Sequence, residues 1–351
     1  MIPQSARKLS RRQFLRAGTA GLAALAGLGR PSAADLGDSR AIRGLVMVPE
    51  TLTWADWPGR AKRAGLNTFV LHHPESPQAL LQFAQSRPGA EFRRQCTEAK
   101  IDMEFDFHAM RDLVPRELFQ EDPSLFRMDA NGERTPLRNF CVSSAEALRI
   151  AGENAVKYAK AFEPTTGCYY YWSDACAEWC RCEKCRELSD SDQLLLAENA
   201  IIAAIHKSEP KAQLAHLACH TSMPAPSQIK PAPGVFLQFA PVRRDYDIPY
   251  SKQTGRDKLD SLWFLEENLK VFRAKTAQIL EYWLDVTRFP PGTGPLPWNR
   301  ELFLADLATY RSFGVRHVKS FANGLDADYV KRHGEPKFLR DFAEGLETTF
   351  S

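Results

Sequence analysis

The chain has 351 residues, 44% of them hydrophobic and 11% aromatic, which is enough to bury a sizeable core and excludes a disordered or low-complexity protein. Lys and Arg number 46 against 43 Asp and Glu, a formal charge of +3. The first 34 residues hold six basic side chains and no acidic one, so the remainder carries about −3 and lacks the basic footprint that nucleic-acid binding requires.

Residues Ser10-Arg11-Arg12-Gln13-Phe14-Leu15-Arg16 match a twin-arginine (Tat) export motif. An Ala/Gly/Leu run from Ala17 to Gly29 follows, with small residues Ser32, Ala33 and Ala34 offering a cleavage site. The run is too short and too glycine-rich for a membrane-spanning helix, and no later stretch is apolar enough to cross. The expectation is a Tat signal over 1–34, handled by the Tat translocase, followed by a protein exported to the periplasm or beyond. No membrane span is expected after signal removal.

Beyond the signal, strand and helix patterns alternate. Ile42 to Val48 is a β-branched run ending at Pro49-Glu50. Trp57 to Ala64 reads as a helix stopped by Gly65, and Asn67 to His73 as a second strand ending His72-His73-Pro74-Glu75. Helical patterns cover 79–86 and 91–99. In the third strand, Ile101, Met103, Phe105 and Phe107 alternate with Asp102, Glu104, Asp106 and His108. Period two puts the apolar set on one face, so the acidic set is expected inside a barrel with His108 at its mouth. Such an interior is costly unless hydrogen-bonded, which favours a functional cavity.

A long connection rich in proline leads to an amphipathic helix over 144–162, with Ser143 or Ser144 as its cap. The aromatic strand Cys168 to Trp172 follows, then a helix over 193–206. Strands are expected over 213–220 and 235–241, a helix over 259–275, and a seventh strand over 278–286. There Glu281, Trp283 and Asp285 alternate with Leu280, Tyr282, Leu284 and Val286. A helix over 298–313, a strand over 315–321 and a helix over 337–346 complete the series. Eight strands alternating with helices argue for a single (β/α)8 TIM-type barrel over 40–348. An open doubly wound sheet is the alternative, but no Gly-x-Gly-x-x-Gly turn follows any strand.

In a parallel barrel, catalytic groups sit at the carboxyl ends of the strands. Asp174 and Glu178 follow strand four, and Glu281 and Asp285 belong to strand seven, on facing walls. Paired carboxylates of this kind suit glycoside cleavage: one protonates the leaving oxygen and the other attacks or activates water. The candidate catalytic set is therefore Asp174 or Glu178 as acid and Asp285 or Glu281 as base or nucleophile, with no cofactor required. Trp172, Trp179, Tyr246 and Trp283 are candidates for stacking on sugar rings. Arg243 or Arg244 would hold a sugar carboxylate or acyl group, and His72, His108 and His220 would contact substrate. The alternatives are arginine ion pairs for the acids, a barrel that binds carbohydrate without cleaving it, and a metal held by the mouth histidines with Glu75. Cys219 and His220 are adjacent on a strand, so they face opposite ways and form no dyad.

Cys176, Cys180, Cys182 and Cys185 crowd one loop after strand four. Four thiolates suit a tetrahedral structural zinc. An exported compartment also permits two disulfides, crossing from Cys180 and Cys182 to Cys176 and Cys185, and reduced thiols are a third state. In each case the loop would stiffen the segment carrying Asp174 and Glu178. Cys96, Cys141 and Cys168 read as small buried apolar groups.

Several stretches resemble a bacterial domain of unknown function found in polysaccharide-related proteins: Trp179-Cys180-x-Cys182-x-x-Cys185, Phe239-Ala240-Pro241-x-x-Arg244, Glu281-Tyr282-Trp283-Leu284-Asp285, and Ser320-Phe321 with Asp326-x-Asp328-Tyr329. That family is similar to the barrels of alpha-glucuronidases and beta-hexosaminidases. The resemblance implies a glycosidase-like barrel and a carbohydrate substrate. Hexosaminidases place adjacent Asp and Glu after strand four, whereas Asp174 is followed here by Ala175.

Overall fold

Eight parallel strands close into a barrel in sequence order: β1 Arg43–Met47, β2 Thr68–His73, β3 Asp102–His108, β4 Cys168–Trp172, β5 Gln213–Ala218, β6 Val235–Phe239, β7 Gln278–Glu281 and β8 His317–Phe321. Each strand pairs with the next, and β8 pairs with β1 with Arg43 opposite Val318 and Val46 opposite Phe321. The computed structural model describes residues 40–350 except 75–76, 175–177, 291 and 293. The expected signal over 1–34, Glu75 and Cys176 therefore lie outside the described residues. Among those described, no helix is long and apolar enough to cross a membrane.

The helices follow the strands: α1 Trp57–Ala64, α2 Pro77–Gln85, α3 Arg87–Ala99, α4 Met110–Leu113, α5 Ala145–Phe162, α6 Asp190–Ile205, α7 Leu262–Val271, α8 Arg300–Ser312, α9 Ala327–His333 and α10 Phe338–Phe350. Several of their starts are set by side-chain caps. Ser144 accepts the Ala147 N–H, Ser189 that of Asp192, and Asn299 that of Leu302. The seventh helix is shorter than its sequence pattern because Phe272 turns to an extended conformation after it. Helix α9, begun by Asp326 accepting the Tyr329 N–H, carries no periodic apolar pattern and was not expected. Helix α10 buries Phe342 and Leu346 and packs against α1, α8 and β1.

Both faces of the strands are covered. Outward side chains such as Phe69, Tyr171 and Leu237 meet the helices, while Val46, Val70, Tyr170, Phe236 and Leu280 fill the interior. The polar face of β3 points inward as the alternation predicts. Deep in the barrel, Lys319 pairs with Glu104, and its Nζ also donates to the Tyr170 hydroxyl at 2.7 Å. The Thr166 hydroxyl donates to Glu104 at 2.8 Å, and the Tyr170 hydroxyl to Gln278 at 3.1 Å. These partners offset the cost of burying both charges.

Gly44 makes room for this pair. A Cβ there would stand 2.9 Å from Lys319 Cγ and 3.4 Å from the Thr68 carbonyl oxygen. Gly44→Ala is expected to lower unfolding stability by about 1–3 kcal/mol, the cost of overpacking a dense core, read as a shift in urea midpoint. An unchanged midpoint would show that the Lys319 stem yields freely.

Candidate active site

The carboxyl ends of β2, β3, β4, β7 and β8 meet around His72. Its Nδ1 lies 2.6 Å from Asp106 Oδ1, and its ring centroid is 5.3 Å from Trp172, 5.2 Å from Phe321 and 6.2 Å from His108. His108 Nδ1 lies 2.6 Å from the Ser173 carbonyl oxygen. A carbonyl only accepts, so the His108 proton sits on Nδ1 and Nε2 is left as the accepting atom. A carboxylate partner orients His72 the same way. Burial pushes the pKa of His108 down, keeping it neutral.

Two carboxyl groups complete the mouth. Asp174 follows β4, is buried, and has its backbone N–H donated to Asn139 Oδ1 at 3.1 Å. Asp285, also buried, opens the turn after β7, and its Oδ1 accepts the Thr287 N–H at 3.0 Å and the Thr287 hydroxyl at 2.6 Å. Burial raises the Asp285 pKa above the ordinary carboxyl value, against the pull of these bonds and of the Arg288 charge. Electrostatic contact runs from Asp174 to His108, from His108 to His72, and from His72 to Asp285. The site thus holds a carboxyl biased toward its protonated form, a second acid and two oriented imidazoles.

The remaining expectations fare differently. Trp172 packs against His72 and His108 but is buried, its indole N–H bonded to Gln238 Oε1 at 2.8 Å, so it offers no exposed stacking platform. Glu178 is exposed, beyond the buried cluster. Trp179 is wholly buried against Phe140 and offers no face to a sugar. His220 stands beside Arg243, and Arg243 grips the buried Asp260 through Nη2 at 2.6 Å and its backbone N–H at 2.8 Å.

Strand seven is the main correction. Leu280 and Tyr282 belong to the interior, so Glu281 and Trp283 face the helices instead of the mouth. Glu281 is fully buried, bonded to Arg244 Nε at 3.1 Å, to the Tyr246 hydroxyl at 2.8 Å and to the Tyr310 hydroxyl of α8. Arg244 Nη2 also meets Asp306 of α8 at 2.6 Å, and the Trp283 indole donates to the same carboxylate at 3.2 Å. Glu281, Arg244 and Trp283 therefore form a lock between barrel and helix, the ion-pair alternative for these acids. Tyr246 stacks on Arg244 and Arg288 and lines a pocket of about 550 Å³ with Trp298 on this outer side.

Two aromatic residues of the mouth were missed. Tyr282 and Phe321 stack at 5.0 Å with their planes 16° apart. Phe321 ends β8, and Tyr282 shares the inward parity of Leu280.

The cysteine loop needs a second correction. Cys141, read as an apolar filler, stands with Cys180, Cys182 and Cys185, and their sulfurs all lie within 4.8 Å of one another. No disulfide joins these four. Among the described residues this is the one group of three or more His, Cys, Asp or Glu whose ligand atoms converge, so His72, His108 and His220 make no such set.

A closed eight-stranded barrel with acids and imidazoles at its carboxyl end has the fold of glycoside-hydrolase TIM barrels. It is similar to a glycoside hydrolase family 5 enzyme from Prevotella bryantii B14, with 9% identity over 88% of this chain and 96% of that one at a TM-score of 0.50. It is similar also to a broad-specificity endoglucanase from an uncultured bacterium, with 9% identity over 88% and 97% of the two chains at 0.51. Identities this low speak for the fold alone. Residues 48–342 match the domain of unknown function DUF4838, and the chain belongs to that family. No curated protein matches the sequence.

Proposed function

We propose that this chain is an exported glycoside hydrolase that cleaves an oligo- or polysaccharide by carboxyl acid/base chemistry at the barrel mouth. The observation that carries the reading is the buried Asp285, whose raised pKa suits a proton donor. The roles expected from sequence are thereby exchanged. Asp285 delivers its proton to the glycosidic oxygen, and Asp174 on the β4 side attacks the anomeric carbon or activates water. With Thr287 bonded to Oδ1, the transferable proton sits on Asp285 Oδ2. Asp106 orients His72 so that Nε2 meets a sugar hydroxyl, and the stacked Tyr282 and Phe321 border the ring. No cofactor takes part in this scheme. The twin-arginine motif at 10–16 supports periplasmic or extracellular action.

The test is a reducing-sugar screen of the purified protein against β- and α-linked glycans, including uronic-acid polymers. Cleavage lowered at least about 100-fold by Asp174→Asn and by Asp285→Asn is the expected result. Glycan binding without turnover would replace this reading by a carbohydrate-binding barrel.

A further inference from the structure

We propose that Cys141, Cys180, Cys182 and Cys185 bind one zinc ion, and that Cys176 is not a ligand. The site is independent of the chemistry proposed for the mouth. Cys141 Sγ stands 3.5 Å from Cys180 Sγ and 3.9 Å from both Cys182 and Cys185. A tetrahedron with zinc–sulfur bonds of about 2.3 Å has edges of about 3.8 Å, which these separations match. A disulfide would bring two sulfurs to about 2.05 Å. The space among the sulfurs suits a single ion and leaves no room for a polynuclear cluster. An all-sulfur donor set selects zinc over hard cations such as calcium or magnesium.

The surroundings suit four thiolates around a dication, whose net charge is −2. The Met128 and Cys182 N–H groups donate to Cys180 Sγ at 3.3 and 3.5 Å, and Arg134 Nη1 approaches the same sulfur at 3.8 Å. The Ser143 hydroxyl lies 3.1 Å from Cys141 Sγ and 3.6 Å from Cys182 Sγ. Such contacts orient and stabilise metal thiolates. The backbone is fixed as well: Gln193 of α6 accepts the Cys180 N–H at 3.0 Å and donates to the Cys180 and Cys185 carbonyls. Binding converts four thiols to thiolates and releases their protons to solvent, with no change of oxidation state.

The ion would clamp the connection after β3 to the connection after β4. Asn139, two residues before Cys141, accepts the Asp174 backbone N–H. The metal would therefore hold the loop that presents Asp174.

The experiment uses the full chain. Elemental analysis should find about one zinc per chain. Cobalt exchanged into the site should give tetrahedral d–d bands with sulfur-to-metal charge transfer. Cys176→Ser should keep the zinc, and Cys141→Ser should lose affinity at least about tenfold. Should Cys141→Ser fail to fold, alkylation mapping of the unmodified protein decides: Cys141, Cys180, Cys182 and Cys185 should become reactive together as a mercurial releases the zinc. Metal-free protein with disulfides in this loop, iron in place of zinc, or zinc lost from Cys176→Ser but kept by Cys141→Ser would each overturn the proposal.

Discussion

Asp285→Asn is expected to lower turnover of the cleaved glycan by about 100- to 10,000-fold while the barrel stays folded, the usual worth of a positioned proton donor. The amide keeps the shape of the carboxyl and can keep the bonds from Thr287, but it has no proton to give. Burial raises the Asp285 pKa, so the wild-type rate should fall as pH rises through that value, and this alkaline limb should disappear from the variant's residual activity. The substitution should act on stability in the opposite sense to its effect on activity. A carboxyl with a raised folded-state pKa stabilises most below its unfolded pKa, and that contribution is lost as pH rises through the folded pKa. At neutral pH the neutral amide should therefore leave the protein at least as stable as wild type. A variant with full activity and an unchanged alkaline limb would remove Asp285 from the mechanism.

The largest stability effect is expected at Arg244. Arg244→Met would leave Glu281 and Asp306 buried without their cation, and losing one partner of a buried ion network costs about 3–5 kcal/mol. Burial already raises the Asp306 pKa with Arg244 present. Without the guanidinium the Asp306 carboxyl should rise further, so the deficit in urea unfolding should widen from acid to neutral pH. Tyr246→Phe, which removes only the hydroxyl bonded to Glu281, should cost nearer 1 kcal/mol. An Arg244→Met protein of normal stability with a raised KM would instead place Arg244 in substrate binding.

The contrast between strands three and seven marks how far the sequence could be read. In β3 one set of alternating residues is wholly polar, so Glu104, Asp106 and His108 could be assigned inward together. At the end of β7 each face carries an aromatic residue, Leu280 and Tyr282 on one side against Glu281 and Trp283 on the other, so neither is plainly the polar one. A parallel strand covered on both sides gives no wet face to set the parity. Eight strands were nonetheless legible, because apolar runs bounded by turns survive such ambiguity. Local spacing grouped Cys180, Cys182 and Cys185 correctly. Their fourth partner, Cys141, comes from 39 residues before Cys180, where no local pattern points to it. Asp285 was legible as an acid near the carboxyl end of the expected strand 278–286, but its protonation bias comes from burial, which only the assembled mouth supplies.

The order of strands also sets a problem in assembly. Seven pairings join strands that follow one another, whereas the eighth joins chain ends, with Ile42 bonded to His317 across 275 residues. Because closure entropy grows only with the logarithm of length, this last pairing costs roughly 2 kcal/mol more than one spanning about 30 residues. Its penalty is chiefly one of time, since distant contacts form slowly. Until residues 317–350 have left the ribosome, β1 and its Leu45, Val46 and Met47 present a bare apolar edge that could pair with another chain. Strand β8 pairs with that edge, and helix α10, packed on α1, α8 and β1, then covers it. A nascent chain stalled before Phe338 would be a natural client for a chaperone.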